Sequence, residues 1–165
     1  MVAGIRIRRA RVPEAPALTD LAMRSKALWG YDESFMAMCL EEMTIRPEAI
    51  EAGEVWVAED TAEETRCILG LLELVPEGRS TEVRMIFVEP GLVRSGIGRA
   101  LWRHAEVRAR ALGAGRLALD ADPNAVPFYE RMGMRIVGES PSGSIPGRTL
   151  PRMEKRLADA RGRAA

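Results

Sequence analysis

The chain has 165 residues, of which 47% are hydrophobic and 29% are charged, a balance typical of one globular domain with a substantial core. Lysine and arginine number 24, as do aspartate and glutamate, so the formal net charge of zero disfavours a dedicated nucleic-acid binder. No apolar run approaches the roughly 18 residues of a membrane span, no signal peptide is evident, and the two cysteines form no disulfide framework. We therefore expect a soluble, cytoplasmic protein that binds neither nucleic acid nor membrane.

The first half of the chain combines two helices with four strands, judged by hydrophobic periodicity. The predicted elements are a strand at 5–8, a helix from Pro13 and Pro16 to Ala27, a second helix with Asp32 as its N-cap, and strands at 55–58, 67–74 and 81–88. Polar turns are predicted at 59–65 and 76–78, and Gly70 suggests a bulge. The close spacing of the last three strands predicts an antiparallel meander.

In the second half of the chain, predicted helices alternate with predicted strands. The predicted elements are a helix at 96–112, a strand at 116–120, a helix at 124–132, a strand at 135–138, a loop at 139–147 and a strand at 150–157. No repeat or long linker divides the chain. We expect one domain over residues 1–157 and a frayed tail over 158–165.

A glycine loop is the most informative segment. Residues 87–101 are expected to run from a strand through a turn and two glycines, Gly96 and Gly98, into a helix. The free N–H groups and the dipole at the start of that helix favour a phosphate or pyrophosphate. No lysine followed by serine or threonine completes a Walker loop, and Leu101 occupies the place of the third glycine in a dinucleotide fingerprint. Taken alone, the two glycines are also compatible with a simple tight entry to a helix.

Two motifs together resemble the GNAT acetyltransferase family. The glycine loop is similar to that family's Q/R-x-x-G-x-G/A loop, although Val93 stands where the family has Gln or Arg. Residues 124–134, NAVPFYERMGM, resemble the family's NAxxFYExxGF segment, with Met134 in place of the aromatic residue. The resemblance implies a mixed α/β (α+β) fold, with a central, mostly antiparallel sheet flanked by helices. It also implies acetyl-CoA as co-substrate, without a metal.

The resemblance assigns cofactor-binding roles to the end of the third meander strand, the glycine loop and the second motif. The implied residues are Ile86, Phe87, Val88, Arg94, Ser95, Gly96, Ile97, Gly98, Arg99, Asn124 and Phe128. The backbone of 86–88 would polarise the acyl carbonyl, and the loop would hold the pyrophosphate of coenzyme A. Asn124 is equally suited to a helix N-cap.

Acetyl transfer to an amine needs a neutral amine, a stabilised oxyanion and a protonated leaving thiol. The resemblance implies that Tyr129 protonates the thiol, and its ordinary pKa of about 10 suits that role. Glu82, expected on the same strand face as Arg84, Ile86 and Val88, is the candidate base. Tyr129 could instead be a core aromatic residue, and Glu82 an exposed carboxylate paired with a neighbour. His104 is the only histidine, and no catalytic triad or metal-ligand spacing is present.

The resemblance implies that the acceptor is bound by the first two helices and the loops around the last strands. Trp29, Tyr31 and Phe35 form an aromatic cluster typical of a pocket wall or of a helix–helix contact. Arg148 could bind a substrate carboxylate or belong to a solvent loop. We expect a small-molecule primary amine as the acceptor. A non-catalytic coenzyme A sensor and an acetyltransferase acting on a protein N-terminus or another macromolecule are the alternatives. The resemblance also implies a homodimer.

Overall fold

The computed structural model describes residues 4–62, 64 and 66–158. Its helices are α1 (Ala15–Ala27), α2 (Glu33–Met43), α3 (Pro47–Glu51), α4 (Ile97–Ala111) and α5 (Val126–Arg131). Its strands are β1 (Ile5–Arg9), β2 (Val55–Asp60), β3 (Ile68–Glu77), β4 (Ser80–Val88), β5 (Arg116–Asp120), β6 (Arg135–Pro141) and β7 (Thr149–Arg156). Short 3₁₀ turns precede α1, α4 and α5. Within these ranges, no helix has the length and apolar character that crossing a membrane requires.

The seven strands form one sheet in the order β1-β2-β3-β4-β5-β7-β6. Neighbours are antiparallel except β4 and β5, which run parallel and are joined through α4. The helical crossover is the connection that a parallel pair requires. The predicted fold class, a mostly antiparallel mixed sheet flanked by helices, and the β2–β4 meander are therefore confirmed.

The two parallel strands separate soon after they meet. Only three residue pairs join them, at Ser80, Thr81 and Glu82 of β4, although β4 continues to Val88 and β5 to Asp120. Beyond Glu82 the edge of β4 that faces β5 has no strand partner, so its backbone N–H and C=O groups lack their ladder bonds. This opening in the middle of the sheet positions the site.

Helices cover both faces of the sheet and bury a separate apolar cluster on each. The face covered by α4, the α4 face, buries Leu101, Trp102 and Tyr129 against strand residues such as Leu72 and Leu117. The face covered by α1 and α2, the α1 face, buries Leu18, Leu21 and Cys39 against strand residues such as Leu71 and Met85. At about 25 cal/mol per Å² of apolar surface, burial on both faces is the main stabilisation of the sheet.

A bulge at Arg84 changes which side chains of β4 face which cluster. Glu73 pairs with Met85 and Leu74 with Val83, so Arg84 has no partner in β3. The extra residue places Val83 on the α4 face but Met85 on the α1 face. Glu82 next to Val83 consequently lies on the opposite face from Ile86 and Val88, and the prediction that these three share a face is wrong.

Several predicted element ends are also corrected. Residues 59 and 60 belong to β2 rather than to a polar turn, because the buried Glu59 carboxylate accepts hydrogen bonds from Arg6 and Arg8. β3 continues through Glu77, so the turn falls at 78–79, and β6 continues to Pro141 into the segment predicted as a loop. The bulge expected at Gly70 lies at its neighbour Leu69, and the short helix α3 was missed.

Most remaining predictions of elements match the structure within a few residues. Asp32 caps α2 and accepts a hydrogen bond from the backbone N–H of Phe35 at 2.8 Å, as predicted. Gly113, with φ 83°, follows the end of α4 in the left-handed conformation that favours glycine. Residues 159–165 of the predicted tail lie outside the described residues.

Candidate active site

A cavity of about 530 Å³ is lined by β4 and β5 beyond their last pair. Its walls come from three parts of the chain. The first comprises residues 83–88 of β4 and residues 92–99 of the glycine loop, and the second comprises residues 120–132 around α5. The third, which we call the acceptor end because the acceptor is predicted to bind there, consists of residues from 25–43 and 142–150. The volume lies within the range of small-molecule and cofactor sites.

The glycine loop ends in a set of free backbone donors at the N-terminus of α4. Gly96 is the N-cap of the helix and has φ 92°, a left-handed value that a glycine adopts without strain. The first helical bond runs from the N–H of Ala100 to the carbonyl of Gly96 at 3.0 Å. The N–H groups of Ile97, Gly98 and Arg99 therefore have no partner within the helix. Together with the dipole of this 15-residue helix, they form an anion site.

Gly98 is needed for a close contact with the second motif. A Cβ at this position would lie 3.3 Å from the ring of Phe128 and 3.7 Å from Val88. The Ser95 hydroxyl donates to the carbonyl of Leu92 at 2.5 Å and thereby stabilises the loop. Ile97 is fully buried on the α4 face, so only its backbone can reach a ligand.

Two arginines of the loop add positive charge to the cavity wall. Arg94 and Arg99 both line the cavity, and neither makes an ion pair with a described residue. Arg94 has φ 67°, an unusual value for a residue with a side chain. An unpaired guanidinium beside free helix N–H groups fits a phosphate or pyrophosphate, because charge-assisted hydrogen bonds to phosphate are strong.

Tyr129 lines the same cavity at the edge of the α4-face cluster. Its side chain is 9% exposed, and its ring packs edge-on against Phe128 at 5.3 Å and tilted against Trp102 at 5.9 Å. Burial, together with the negative charge of Asp122, raises the pKa of the Tyr129 hydroxyl well above its ordinary value. The hydroxyl is therefore protonated at neutral pH, and no described residue hydrogen-bonds it.

Asp122 joins the acceptor end of the cavity to the second motif. Its carboxylate accepts hydrogen bonds from the Tyr31 hydroxyl at 2.8 Å and from the Lys26 ammonium at 3.3 Å. It also accepts bonds from the backbone N–H and the side-chain amide of Asn124, at 2.9 and 3.0 Å. Burial raises the pKa of the Asp122 carboxyl, but these hydrogen bonds and the Lys26 charge outweigh it, and the net pKa is lowered. Asp122 is therefore a carboxylate at neutral pH.

Arg148 completes this group from the β6–β7 loop. Its guanidinium donates to the Tyr31 hydroxyl at 2.8 Å and lies 3.9 Å from Asp122. The rings of Tyr31 and Phe35 stack at a centroid distance of 4.1 Å, and the Arg148 guanidinium lies 5.0–5.3 Å from both. Tyr31 and Phe35 of the predicted aromatic cluster are thus brought together with Arg148, whereas Trp29 lines the cavity without stacking on either ring. We call Lys26, Tyr31, Phe35, Asp122, Asn124 and Arg148 the acceptor-end cluster.

Glu82 is placed differently from the other candidates. It does not line the cavity, and its carboxylate is bound on both oxygens by the guanidinium of Arg152 on β7, with one contact of 2.8 Å. Arg152 also donates to Asp120 at 3.3 Å. The geometry therefore matches the alternative interpretation of Glu82 as a carboxylate paired with a neighbour.

The cavity gathers most of the predicted residues but not all of them. Those that line it are Trp29, Ile86, Phe87, Val88, Arg94, Gly96, Gly98, Arg99, Asn124, Phe128, Tyr129 and Arg148. Ser95, Ile97, Tyr31 and Phe35 support the wall from behind. Sequence reasoning missed Glu42 and Asp122 as lining residues, and it gave no individual role to Lys26 within the predicted acceptor segment 24–31. Asp122 could have been found from its place just after a strand and two residues before Asn124.

An opened sheet, an anion-binding glycine loop and a protonated tyrosine on one cavity define a group-transfer site for a phosphate-bearing donor. The sequence profile of the acetyltransferase (GNAT) family matches residues 17–134. The chain belongs to this family, which confirms the predicted enzyme class, an acetyl-CoA-dependent N-acetyltransferase. A comparison with curated protein sequences finds no match.

Solved structures with the same fold include three acetyltransferases. PaiA N-acetyltransferase from Thermoplasma acidophilum, in complex with coenzyme A, is 20% identical with a TM-score of 0.75, over 93% of this chain and 99% of that one. A GCN5-related N-acetyltransferase from Rhodopseudomonas palustris is 21% identical with a TM-score of 0.74, over 95% and 98%. YncA from Salmonella typhimurium, solved with its cofactor acetyl-CoA, is 19% identical with a TM-score of 0.65, over 95% and 96%. At these identities the likeness shows the fold.

Proposed function

We propose that the protein transfers an acetyl group from acetyl-CoA to the primary amine of a small molecule, by direct attack of the amine within the cavity. The observation that carries this proposal is the single cavity joining the N-terminus of α4, the free edge of β4, Tyr129 and the acceptor-end cluster. Donor and acceptor would enter from different parts of its wall and meet at the opening of the sheet. Holding both reactants in this geometry makes the reaction effectively unimolecular.

The residues present fit coenzyme A. The N–H groups at 97–99 with Arg94 and Arg99 would hold its pyrophosphate. The unpaired edge of β4 would hydrogen-bond the amides of its pantetheine arm, and Asn124 lies on the facing wall. When bound, acetyl-CoA supplies the activated acyl group. Backbone N–H groups near 86–88 are the donors available to stabilise negative charge on the acyl oxygen.

Tyr129 is the proposed general acid. Its hydroxyl is protonated at neutral pH, its raised pKa makes it a weaker acid than an ordinary tyrosine, and Tyr129 lines the cavity together with Phe128. A thiol with an ordinary pKa of about 8.5 leaves more readily when a proton is delivered to it. We do not assign the amine's proton to Glu82, because Arg152 occupies that carboxylate outside the cavity. After attack, the nitrogen would lose its proton to solvent water, to which the cavity is open at Leu28 and Trp29, and water would return a proton to Tyr129.

The proposal is tested by incubating the purified protein with acetyl-CoA and a panel of primary amines, with colorimetric detection of the released thiol. We expect amine-dependent thiol release and a mass increase of one acetyl group on the amine. The rate should rise with pH toward the amine's pKa of roughly 10.4, because only the neutral amine attacks. Binding of acetyl-CoA by calorimetry, without thiol release from any amine, would instead identify a coenzyme A sensor. Acetylation confined to proteins in a cell extract would identify a macromolecular acceptor.

A further inference from the structure

We infer that the acceptor amine carries an acidic group, a carboxylate or a phosphate, on an apolar body, and that Arg148 and Lys26 bind this acid. The inference rests on the proposed function and specifies its substrate class. It arises from the acceptor-end cluster, which carries one net positive charge and leaves most donors of Arg148 unused. The Glu42 carboxylate also lines the cavity, but it accepts from the Ser144 hydroxyl and makes no ion pair with Lys26 or Arg148.

The acceptor-end cluster carries one net positive charge, because it contains two cationic side chains and one carboxylate. Lys26 and Arg148 are both cationic, and both make their only ion pair among the described residues with Asp122, at 3.3 and 3.9 Å. The Tyr31 hydroxyl is neutral, because burial and the hydrogen bond to Asp122 raise its pKa above the ordinary value. The side chains of Lys26 and Arg148 are 14% and 20% exposed, so water screens this excess charge only in part.

The hydrogen bonds within the acceptor-end cluster also favour an acidic ligand. The Tyr31 hydroxyl donates to Asp122 and accepts from Arg148 and from Asn124, at 2.8 and 3.1 Å, which uses its full capacity. Arg148, in contrast, places only one of its five N–H donors on a described residue. A mostly buried guanidinium with spare donors at a cavity wall fits the two oxygens of a carboxylate or phosphate.

The guanidinium is held in place before any ligand arrives. The backbone of Arg148 accepts from the N–H of Ser142 at 2.7 Å and donates to the carbonyl of Ile145 at 3.2 Å, which closes the β6–β7 loop. Its planar head lies against the stacked rings of Tyr31 and Phe35. A preorganised cation loses little entropy on binding an acid.

Beside the polar Ser25, Glu42, Ser142 and Ser144, apolar side chains line much of the acceptor end, which is partly open to solvent. Leu28 and Trp29 line the cavity with 51% and 45% of their surface exposed, large values for such side chains. Met43, Met85 and Phe87 line it from α2 and β4. Exposed apolar groups around a cavity mark a surface that a ligand covers. These side chains favour an apolar body on the acceptor, such as that of an aliphatic or aromatic amino acid.

Matched sets of acceptors test the inference. Each set contains an apolar amino acid, the amine left after its decarboxylation and the corresponding aminophosphonate, and kcat/KM is measured for each by thiol release. We expect the two acids to exceed the plain amine by about 10- to 100-fold. Equal or better use of the plain amine would overturn the inference while leaving acetyl transfer intact. A lack of thiol release with every amine would instead contradict the proposed function.

Variants then test which residues cause the preference for acidic acceptors. Arg148→Met should lower the preference for acidic over plain acceptors, measured as the ratio of their kcat/KM values, about 10- to 100-fold, with partial recovery in Arg148→Lys. Lys26→Met should act in the same direction. The control is Arg46→Met, an exposed arginine outside the cavity. Equal losses on acidic and plain acceptors would show that Arg148 only supports the fold, and the inference would fall.

Discussion

Tyr129 belongs both to the core and to the wall of the cavity. Its ring is part of the α4-face cluster, and its hydroxyl lines the cavity without a hydrogen-bond partner among the described residues. Burial and the charge of Asp122 both oppose ionisation, so the hydroxyl remains a proton donor throughout the pH range in which the amine becomes neutral.

Removing only the hydroxyl tests this role. Tyr129→Phe keeps the ring packed against Phe128 and Trp102, so we expect little change in Tm. The kcat should fall by about 10²-fold or more, because the thiol loses its proton donor. Steady-state kinetics and calorimetric binding of acetyl-CoA separate the two effects. A near-normal kcat would exclude Tyr129 as the general acid.

Gly96 allows a second residue-scale test, with a matched control in the same helix. Gly96→Asp places a carboxylate at the N-terminus of α4, where it would compete with phosphate for the free N–H groups. Acetyl-CoA affinity should fall by at least about 100-fold. Gly113→Asp has a similar left-handed φ and equally open space around its Cβ, but lies beyond the other end of α4. Because both variants carry the same backbone strain, a similar loss in both would mean that the loop does not bind the cofactor.

Among the elements, α4 connects the cofactor loop to the core. On the buried side of α4, Leu101, Trp102 and Ala105 pack against the sheet. Val107 on the outer side is 63% exposed. The helix lies very close to β3 at Gly70, because a Cβ at that position would be only 3.0 Å from the Leu101 side chain. The position of the free N–H groups at 97–99 therefore depends on this packing.

The two sides of α4 should differ sharply when truncated. Leu101→Ala should reduce the free energy of unfolding by about 2–5 kcal/mol, through lost burial and a residual cavity. Val107→Ala on the exposed side should change it by less than about 0.5 kcal/mol. Urea denaturation measures both. Similar, small losses for the two variants would contradict the described burial of α4.

Elements with strong local signals could be predicted from the sequence. The alternation in the meander strands, the Asp32 cap and the glycines around α4 depend on neighbouring residues, and the predictions at these places are confirmed. The bulge at Arg84 could not be predicted, because it depends on the register between β3 and β4. Glu59 was assigned to a turn for a similar reason, since its arginine partners come from a strand about 50 residues away.

The parts of the candidate site that lie within one contiguous segment of the sequence could be predicted. The glycine loop and residues 124–129 are recognisable as motifs, and the cavity is lined by most of both. The roles of Lys26 and Asp122 depend on a contact between α1 and the end of β5, 96 positions apart in the chain. Neither Lys26 nor Asp122 carries a local signal of this long-range contact.

At the scale of the whole molecule, the sheet edge at β1 and β2 holds a buried charge that links stability to pH. Burial raises the pKa of the Glu59 carboxyl, but hydrogen bonds from Arg8 and Arg6 outweigh it and hold its pKa below the ordinary value of 4.5. A lowered folded pKa gives stability that is present above pH about 4.5 and is lost as the pH falls through the folded value.

Glu59→Gln should therefore cost about 1–3 kcal/mol of unfolding free energy at pH 7, and the difference from the unsubstituted protein should shrink below pH 4. Denaturant unfolding at several pH values measures it. Glu51→Gln, at the exposed end of α3, is the control and should change little at any pH. A constant difference across the pH range would mean that the Glu59 charge does not contribute.

The three parts of the cavity wall come from different regions of the chain. The proposed donor half comes from the central stretch, 83–99 and 120–132, whereas most of the acceptor end comes from the two flanking stretches, 25–43 and 142–150, with Asp122 and Asn124 added from the central stretch. Substitutions or loop-length changes in the flanks can alter the acceptor without touching a residue of the central stretch that lines the cavity. This arrangement permits acceptor choice to diverge in evolution while the donor half is retained, and it makes the flanks the natural target for redesigning specificity.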